Sequence, residues 1–107
     1  MLTGEKEMLE RGDFYNLVHF EYGEPDYGSY KGMRYRIALE PLVKLFGMKP
    51  ADKPEKIMLR AYAWREPWSY TVAQDKEYMD FEYTEEGING AIAWLNEEWE
   101  KITAKEI

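Results

Sequence analysis

The strongest constraint on the fold is an apolar stripe near the C-terminus. The stripe has the spacing of one helix face, and its members are Ile88, Ala91, Ile92, Leu95, Trp99 and Ile102. Thr84 can cap the helix, and Glu85 and Glu86 suit the positive end of its dipole. The charged positions that we expect to face mainly solvent are Glu97, Glu98, Glu100 and Lys101. Because an amphipathic helix needs a packing partner, the rest of the chain must supply an apolar platform.

Three segments alternate with the two-residue period of a β-strand, at residues 30–40, 57–65 and 78–83. Their apolar positions would share one sheet face and form that platform: Met33, Tyr35, Ile37, Leu39, Ile57, Leu59, Ala61, Ala63, Met79, Phe81 and Tyr83. Residues 68–73 are a further strand candidate. Since short turns join most of these segments, antiparallel pairing is favoured.

The pattern predicts one α+β domain over residues 1–107, with a mostly antiparallel sheet of three to five strands. The C-terminal amphipathic helix packs on one face of the sheet, and a short N-terminal helix is expected at 4–11. Residues 14–22 fit both a helical stripe and a strand face, so both interpretations stay open, although aromatic and β-branched residues favour a strand for the second half. Residues 42–48 form a short apolar run that favours about one helical turn.

Composition excludes several kinds of chemistry. The chain has no cysteine and one histidine, which argues against thiolate or histidine-rich metal sites and against a cysteine nucleophile. A net charge of −7 disfavours binding to nucleic-acid phosphates. No stretch approaches the ~20 apolar residues of a membrane span, and the N-terminus lacks a signal-peptide core. We therefore expect a cytoplasmic protein with no cofactor, metal, membrane or nucleic-acid partner.

The sheet face opposite the helix is rich in arginine and aromatic residues. Its predicted members are Arg34, Arg36, Arg60, Tyr62, Trp64, Tyr78, Asp80 and Glu82. Arginine, tyrosine and tryptophan are enriched at the energetic centres of protein interfaces, and Trp68 and Tyr70 would extend the patch. A simpler interpretation is a solvated face, on which each cross-strand pair contributes about 0.2–1 kcal/mol. The N-terminal helix is a third way to cover it.

The segment HFEYGEPDYGSYKGMRYR, residues 19–36, resembles a concentrated active site in composition. Its glycines, proline and Asp26 are sufficiently explained as turn formers. A Ser29–His19–Asp26 triad can be drawn, but a polar turn of this composition explains it equally well, and no nucleophile elbow, phosphate-binding loop or EF-hand pattern is present. The residues left without a structural role are His19, Tyr27, Tyr30, Arg34 and Arg36.

The sequence does not identify a function, but it ranks three hypotheses. The first is a small, acidic, non-enzymatic module that binds a protein partner, or a second copy of itself, through the arginine-rich face. The second is a small-ligand or enzyme site for an anionic metabolite around His19, Glu21, Asp26, Tyr27 and Arg36. The third is an acidic mimic of nucleic acid. The candidate binding residues are His19, Tyr27, Tyr30, Arg34, Arg36, Arg60, Trp64 and Trp68, and no residue is assigned to catalysis or metal binding.

Overall fold

The computed structural model describes residues 8–104, in which four antiparallel strands form one sheet. In chain order, which is also the spatial order, the strands are β1 (Asp26–Tyr30), β2 (Met33–Glu40), β3 (Met58–Arg65) and β4 (Glu77–Glu82). A short helix α1 (Leu17–Glu21) precedes the sheet, and the long helix α2 (Glu85–Ala104) follows it. Short 3₁₀ turns lie at Arg11–Asp13 and Pro50–Asp52. The predicted α+β architecture is confirmed.

The turn between β1 and β2 fixes which side chains share a face. The turn residues Lys31 and Gly32 both have positive φ, 40° and 94°, as a tight two-residue hairpin requires. The resulting register pairs Gly28 with Tyr35 and Tyr27 with Arg36. Because side chains alternate along a strand, Tyr27 joins Arg36 on one face, which we call the outer face. Gly28 and Tyr35 lie on the opposite, inner face.

The inner face carries the core, as the apolar pattern predicted. Met33, Ile37, Leu39, Leu59, Ala61, Ala63, Ile88, Ala91 and Leu95 are at most 1% exposed. The small side chains of Ala61 and Ala63 leave room for α2 to lie directly over β3. The platform extends less far toward β4 than expected, since Met79 is 46% exposed. Among the helices of residues 8–104, none combines the length and apolar character that a membrane crossing requires.

Two glycines allow parts of the core to approach more closely than any other residue would. A Cβ on Gly28 would overlap the hydroxyl of Tyr35, whose ring crosses over that position. A Cβ on Gly87 would overlap the carbonyl oxygen of Glu82 at the end of β4. Gly87 therefore has a structural role in the helix. Because it has no Cβ, the first turn of α2 can begin directly beside the strand that precedes it.

Several local predictions are corrected. Residues 68–73 are not a strand, because the backbone N–H groups of Val72 and Ala73 both donate to the Ser69 carbonyl and close a local turn. Residues 42–48 are not helical. The predicted helix at 4–11 lies mostly outside the described residues, and its described part, from Met8 onward, is not α-helical.

The open question at residues 14–22 is resolved in favour of a short helix. The side chain of Asn16 accepts a hydrogen bond from the His19 N–H and caps α1. The cap stops the chain from extending into a strand at this point. This N-terminal segment packs on the inner side, where Leu9 and Phe14 join the core. The N-terminal part of the chain that is described therefore does not cover the outer face.

We predict that Gly87→Ala destabilises the protein by about 3 kcal/mol or more, because the added methyl meets a backbone carbonyl that cannot rotate away. Urea unfolding measures this. Gly90→Ala on the same helix is the control, since its methyl would meet only the Phe81 ring, at 3.2 Å. The control should change the free energy of unfolding by less than about 1 kcal/mol. Equal effects of the two substitutions would contradict the assigned close approach.

Candidate binding site on the outer sheet face

The outer face is covered by a loop of the same chain, residues 66–76, which we call the cover loop. The Trp64 indole N–H donates to the Trp68 carbonyl at 2.6 Å. The Lys76 ammonium donates to the carbonyls of Tyr70 and Ala73, at 2.6 and 2.9 Å. These bonds hold the loop down, and Trp64 beneath it is only 2% exposed. The interpretation of a solvated face is therefore wrong for the part under the cover loop, whereas toward β4 Tyr78 is 54% exposed and Arg60 pairs with Asp80 across the strands, as that interpretation expected.

Arg36 lies under the cover loop inside a cage of tyrosine rings. Its guanidinium carbon is 4.5 Å from the ring centre of Tyr70, 5.7 Å from that of Tyr27 and 5.8 Å from that of Tyr62. Its Nε donates to the Tyr27 hydroxyl at 3.1 Å, and the residue is 9% exposed. Within residues 8–104 no carboxylate forms an ion pair with it. The ring faces therefore supply most of its stabilisation.

Arg60, on the same face, has the opposite environment. Its guanidinium makes two hydrogen bonds to the Asp80 carboxylate, at 2.7 and 3.0 Å, and lies 3.6 Å from Glu40. The hydrogen bonds to Asp80 raise the pKa of Arg60, and in return they lower the pKa of Asp80. This predicted binding residue is thus already engaged within the sheet, and it is less available to a ligand than its sequence position suggested.

A groove of about 460 Å³ opens between the β1–β2 hairpin and the cover loop. Its walls include Tyr27, Ser29, Arg34, Tyr70 and Thr71. The Nε of Arg34 is buried and has no hydrogen-bond partner. The carboxylate of Glu66 is 3.7 Å away, which permits attraction between the charges but is too long for a hydrogen bond. The groove therefore contains a cationic donor that is unsatisfied.

His19 lies outside the groove, near the inner side of β1. Its Nε2–H donates to the Pro25 carbonyl at 3.1 Å, because a carbonyl oxygen can only accept. Its ring stacks on Tyr15 at 3.8 Å. The neighbouring Asp26 carboxylate accepts from the Tyr15 N–H at 3.0 Å and lies on the inner side of β1. The structure does not bring His19 and Asp26 together with Arg36, which is on the outer face.

The remaining predicted binding residues also lie in different parts of the fold. Tyr30 points into the core and contacts Trp99, with 5.4 Å between the ring centres. Trp64 supports the cover loop from below, whereas Trp68 on that loop is 54% exposed. The groove residues that the sequence did not single out as binding residues come from the cover loop, chiefly Ser69 and Thr71. Their only signal was their position next to Tyr70, on a segment that was predicted to be a strand.

No group of three or more histidine, aspartate or glutamate side chains that could hold a metal ion occurs in the part of the chain that the structure describes. No protein-family model, curated protein or solved structure matches the chain. Function must therefore be argued from the geometry of the outer face.

We predict that Tyr70→Ala costs about 2 kcal/mol of stability, because it removes a half-buried ring that packs on Arg36. It should also make the cover loop a preferred site of limited proteolysis, which is read by mass spectrometry of the fragments. Trp68→Ala is the control, because its exposed ring is dispensable while its backbone carbonyl still accepts from Trp64. A Trp68 variant that loosens the loop as much as the Tyr70 variant would contradict this account.

A second prediction concerns Asp26, whose pKa is raised mainly by burial. The folded protein therefore binds a proton at Asp26 more readily than the unfolded chain does. This difference stabilises the folded state as pH falls through the folded pKa toward about 3.9, the ordinary pKa of an aspartate in an unfolded chain, and the stabilisation is lost at higher pH. At pH 7 its buried charge is unfavourable. Asp26→Asn should therefore be more stable than the parent at pH 7, with the difference shrinking near pH 4. Urea unfolding at both pH values tests this.

The exposed Asp52 provides the control for this titration. Asp52→Asn should change stability equally little at the two pH values, because its carboxylate stays in water. If Asp26→Asn is destabilised more at pH 7 than at pH 4, the carboxylate is required as an ion to hold the Tyr15 N–H, and burial is not the dominant effect.

Proposed function

We propose that the protein is a small, non-enzymatic binding module that takes a carboxylate in the groove between the β1–β2 hairpin and the cover loop. The observation that carries this proposal is Arg34, whose buried Nε has no hydrogen-bond partner. The carboxylate of Glu66 lies 3.7 Å from this Nε, within the range of an ion pair but too far for a hydrogen bond. A buried donor left unsatisfied costs about 1–3 kcal/mol, and a ligand carboxylate would satisfy it.

The surroundings of Arg34 support an anionic ligand. Arg36 is two residues along β2 on the same face, and within residues 8–104 no carboxylate neutralises it. Its charge lies behind the Tyr27 and Tyr70 rings, so the groove wall is apolar at its surface and positive beneath. The hydroxyls of Ser29 and Thr71 offer further hydrogen bonds. A volume of about 460 Å³ lies within the range of small-ligand sites.

Binding is favoured over catalysis because the groove has hydroxyl groups without a base beside them. The single histidine of the chain, His19, hydrogen-bonds to Pro25 near the inner side of β1. Two sources offer a carboxylate of the same chemistry, namely a small organic acid and a segment of a partner protein. Trp68 and Val72, each 54% exposed on the cover loop, favour the partner protein, since they add apolar contact area beside the groove.

We predict that benzoate and a short peptide with a free C-terminal carboxylate shift the backbone NMR signals of Ser29, Ser69 and Thr71. The amidated form of the peptide should not. Arg34→Gln should weaken binding about tenfold or more, because a hydrogen bond to a charged group contributes roughly 1.5–3 kcal/mol. Lys53→Gln, which removes one exposed positive charge away from the groove, should leave the affinity unchanged.

Comparing benzoate with the peptide distinguishes a small organic acid from a partner protein as the source of the carboxylate. Tighter binding of the peptide than of benzoate, lost in Trp68→Ala, would identify a partner segment. Equal binding that is insensitive to Trp68 would identify a small acid. The proposal fails if no carboxylate shifts these signals, or if Arg34→Gln binds as well as the parent protein.

A further inference from the structure

Glu98 is a charged residue that the groove does not explain. It lies on α2, where it was predicted to face mainly solvent, yet it is only 5% exposed. Its neighbours Glu97 and Glu100 on the same helix are exposed, as expected. Taking a carboxylate out of water costs several kcal/mol unless good partners replace the lost hydration. The burial of Glu98 therefore needs a reason.

The partner that the chain provides is weak. The Lys101 ammonium donates to Oε2 of Glu98 at 2.9 Å, but the Lys101 side chain is 67% exposed. An ion pair with one partner mostly in water contributes little to stability. No backbone or side-chain group among residues 8–104 donates a hydrogen bond to the other carboxylate oxygen, Oε1. Half of the hydrogen-bonding capacity of this buried group is thus left open.

Glu98 faces a cavity of about 520 Å³ between α2, the end of β3 and residues 74–79. Its charged lining consists of three acidic residues, Asp75, Glu77 and Glu98, and three basic ones, Arg65, Lys76 and Lys101, and Trp94 adds an aromatic wall. The Lys76 ammonium is directed to the Tyr70 and Ala73 carbonyls of the cover loop. This cavity is separate from the groove that contains Arg34, so an inference about it does not rest on the proposed function.

We propose that this cavity binds a ligand through a protonated amine, which Glu98 anchors. An ammonium group would donate to the open oxygen of Glu98, Oε1, and its charge would repel the Lys101 head on Oε2 toward solvent. The ring of Trp94 provides a face that attracts a cation, whereas the Tyr78 ring is already in contact with Arg60 on the outer face. The net charge of −7 raises the local concentration of such ligands. The ligand class is therefore a small organic amine with an apolar or aromatic body.

Benzylamine is a suitable probe, and benzyl alcohol is its uncharged counterpart of similar shape. In the parent protein, benzylamine should shift the NMR signals of the Trp94 indole and of the backbone amides near Glu98. Benzyl alcohol should shift them at least tenfold less at equal concentration. Glu98→Gln should weaken benzylamine binding at least tenfold, whereas Glu97→Gln, which removes an exposed charge from the adjacent position, should not change it.

Lys101→Gln gives an independent readout, because it removes the competing amine and leaves Glu98 in place. It should tighten benzylamine binding several-fold, and it keeps the proposal testable if Glu98→Gln fails to fold. Three results would overturn the inference: no shift with benzylamine in the parent protein, equal shifts with benzyl alcohol, or Lys101→Gln that binds benzylamine no more tightly than the parent. The last result would mean that Glu98 and Lys101 form only a structural ion pair.

Discussion

Burial of the central strands on both faces is the constraint on which the remaining structure depends. On the inner face, α2 lies over Ala61 and Ala63, which are small enough to admit it. On the outer face, the cover loop is held by the Tyr70 ring, 4.5 Å from the Arg36 guanidinium. Hydrogen bonds from Trp64 and Lys76 to loop carbonyls also hold it, and without the loop Trp64 and a charged arginine would lie on a bare sheet. The loop therefore completes the fold, and by lying across the sheet it also forms one wall of the groove.

The packing of α2 on the inner face was predictable, because the spacing of apolar residues in the sequence shows which side chains are buried there. The helical stripe and the alternating strands identify one apolar face each, and these two faces predict that the helix packs on the sheet. The outer half was not predictable, because residues 68–73 alternate like a strand while their backbone hydrogen bonds close a turn. Glu98 was missed for a related reason. The stripe assigns it to solvent, and only the return of residues 74–79 beside α2 buries it.

The pleat of β1 explains why the structure brings only some of the candidate residues together. Tyr27 and Asp26 are adjacent in sequence, so their side chains lie on opposite faces of the strand. Tyr27 joins Arg34 and Arg36 on the outer face, whereas Asp26 turns inward toward Tyr15, near His19. The composition of residues 19–36 suggested that all of these residues belong to one site. Composition carries no information on which face of the sheet each side chain occupies. Register supplies that information, and here it depends on a two-residue turn.

The ligand proposed for the groove is an anion and the ligand proposed for the cavity is a cation, yet both sites border the cover loop. Tyr70 lines the groove, and Lys76 lines the cavity. The two residues are also joined directly, since the Lys76 ammonium donates to the Tyr70 carbonyl and lies 4.8 Å from the centre of its ring. A cation that entered the cavity would repel Lys76, and any movement of Lys76 would act on the residue that covers Arg36. The two proposed sites therefore share one structural element, the contact between Lys76 and Tyr70.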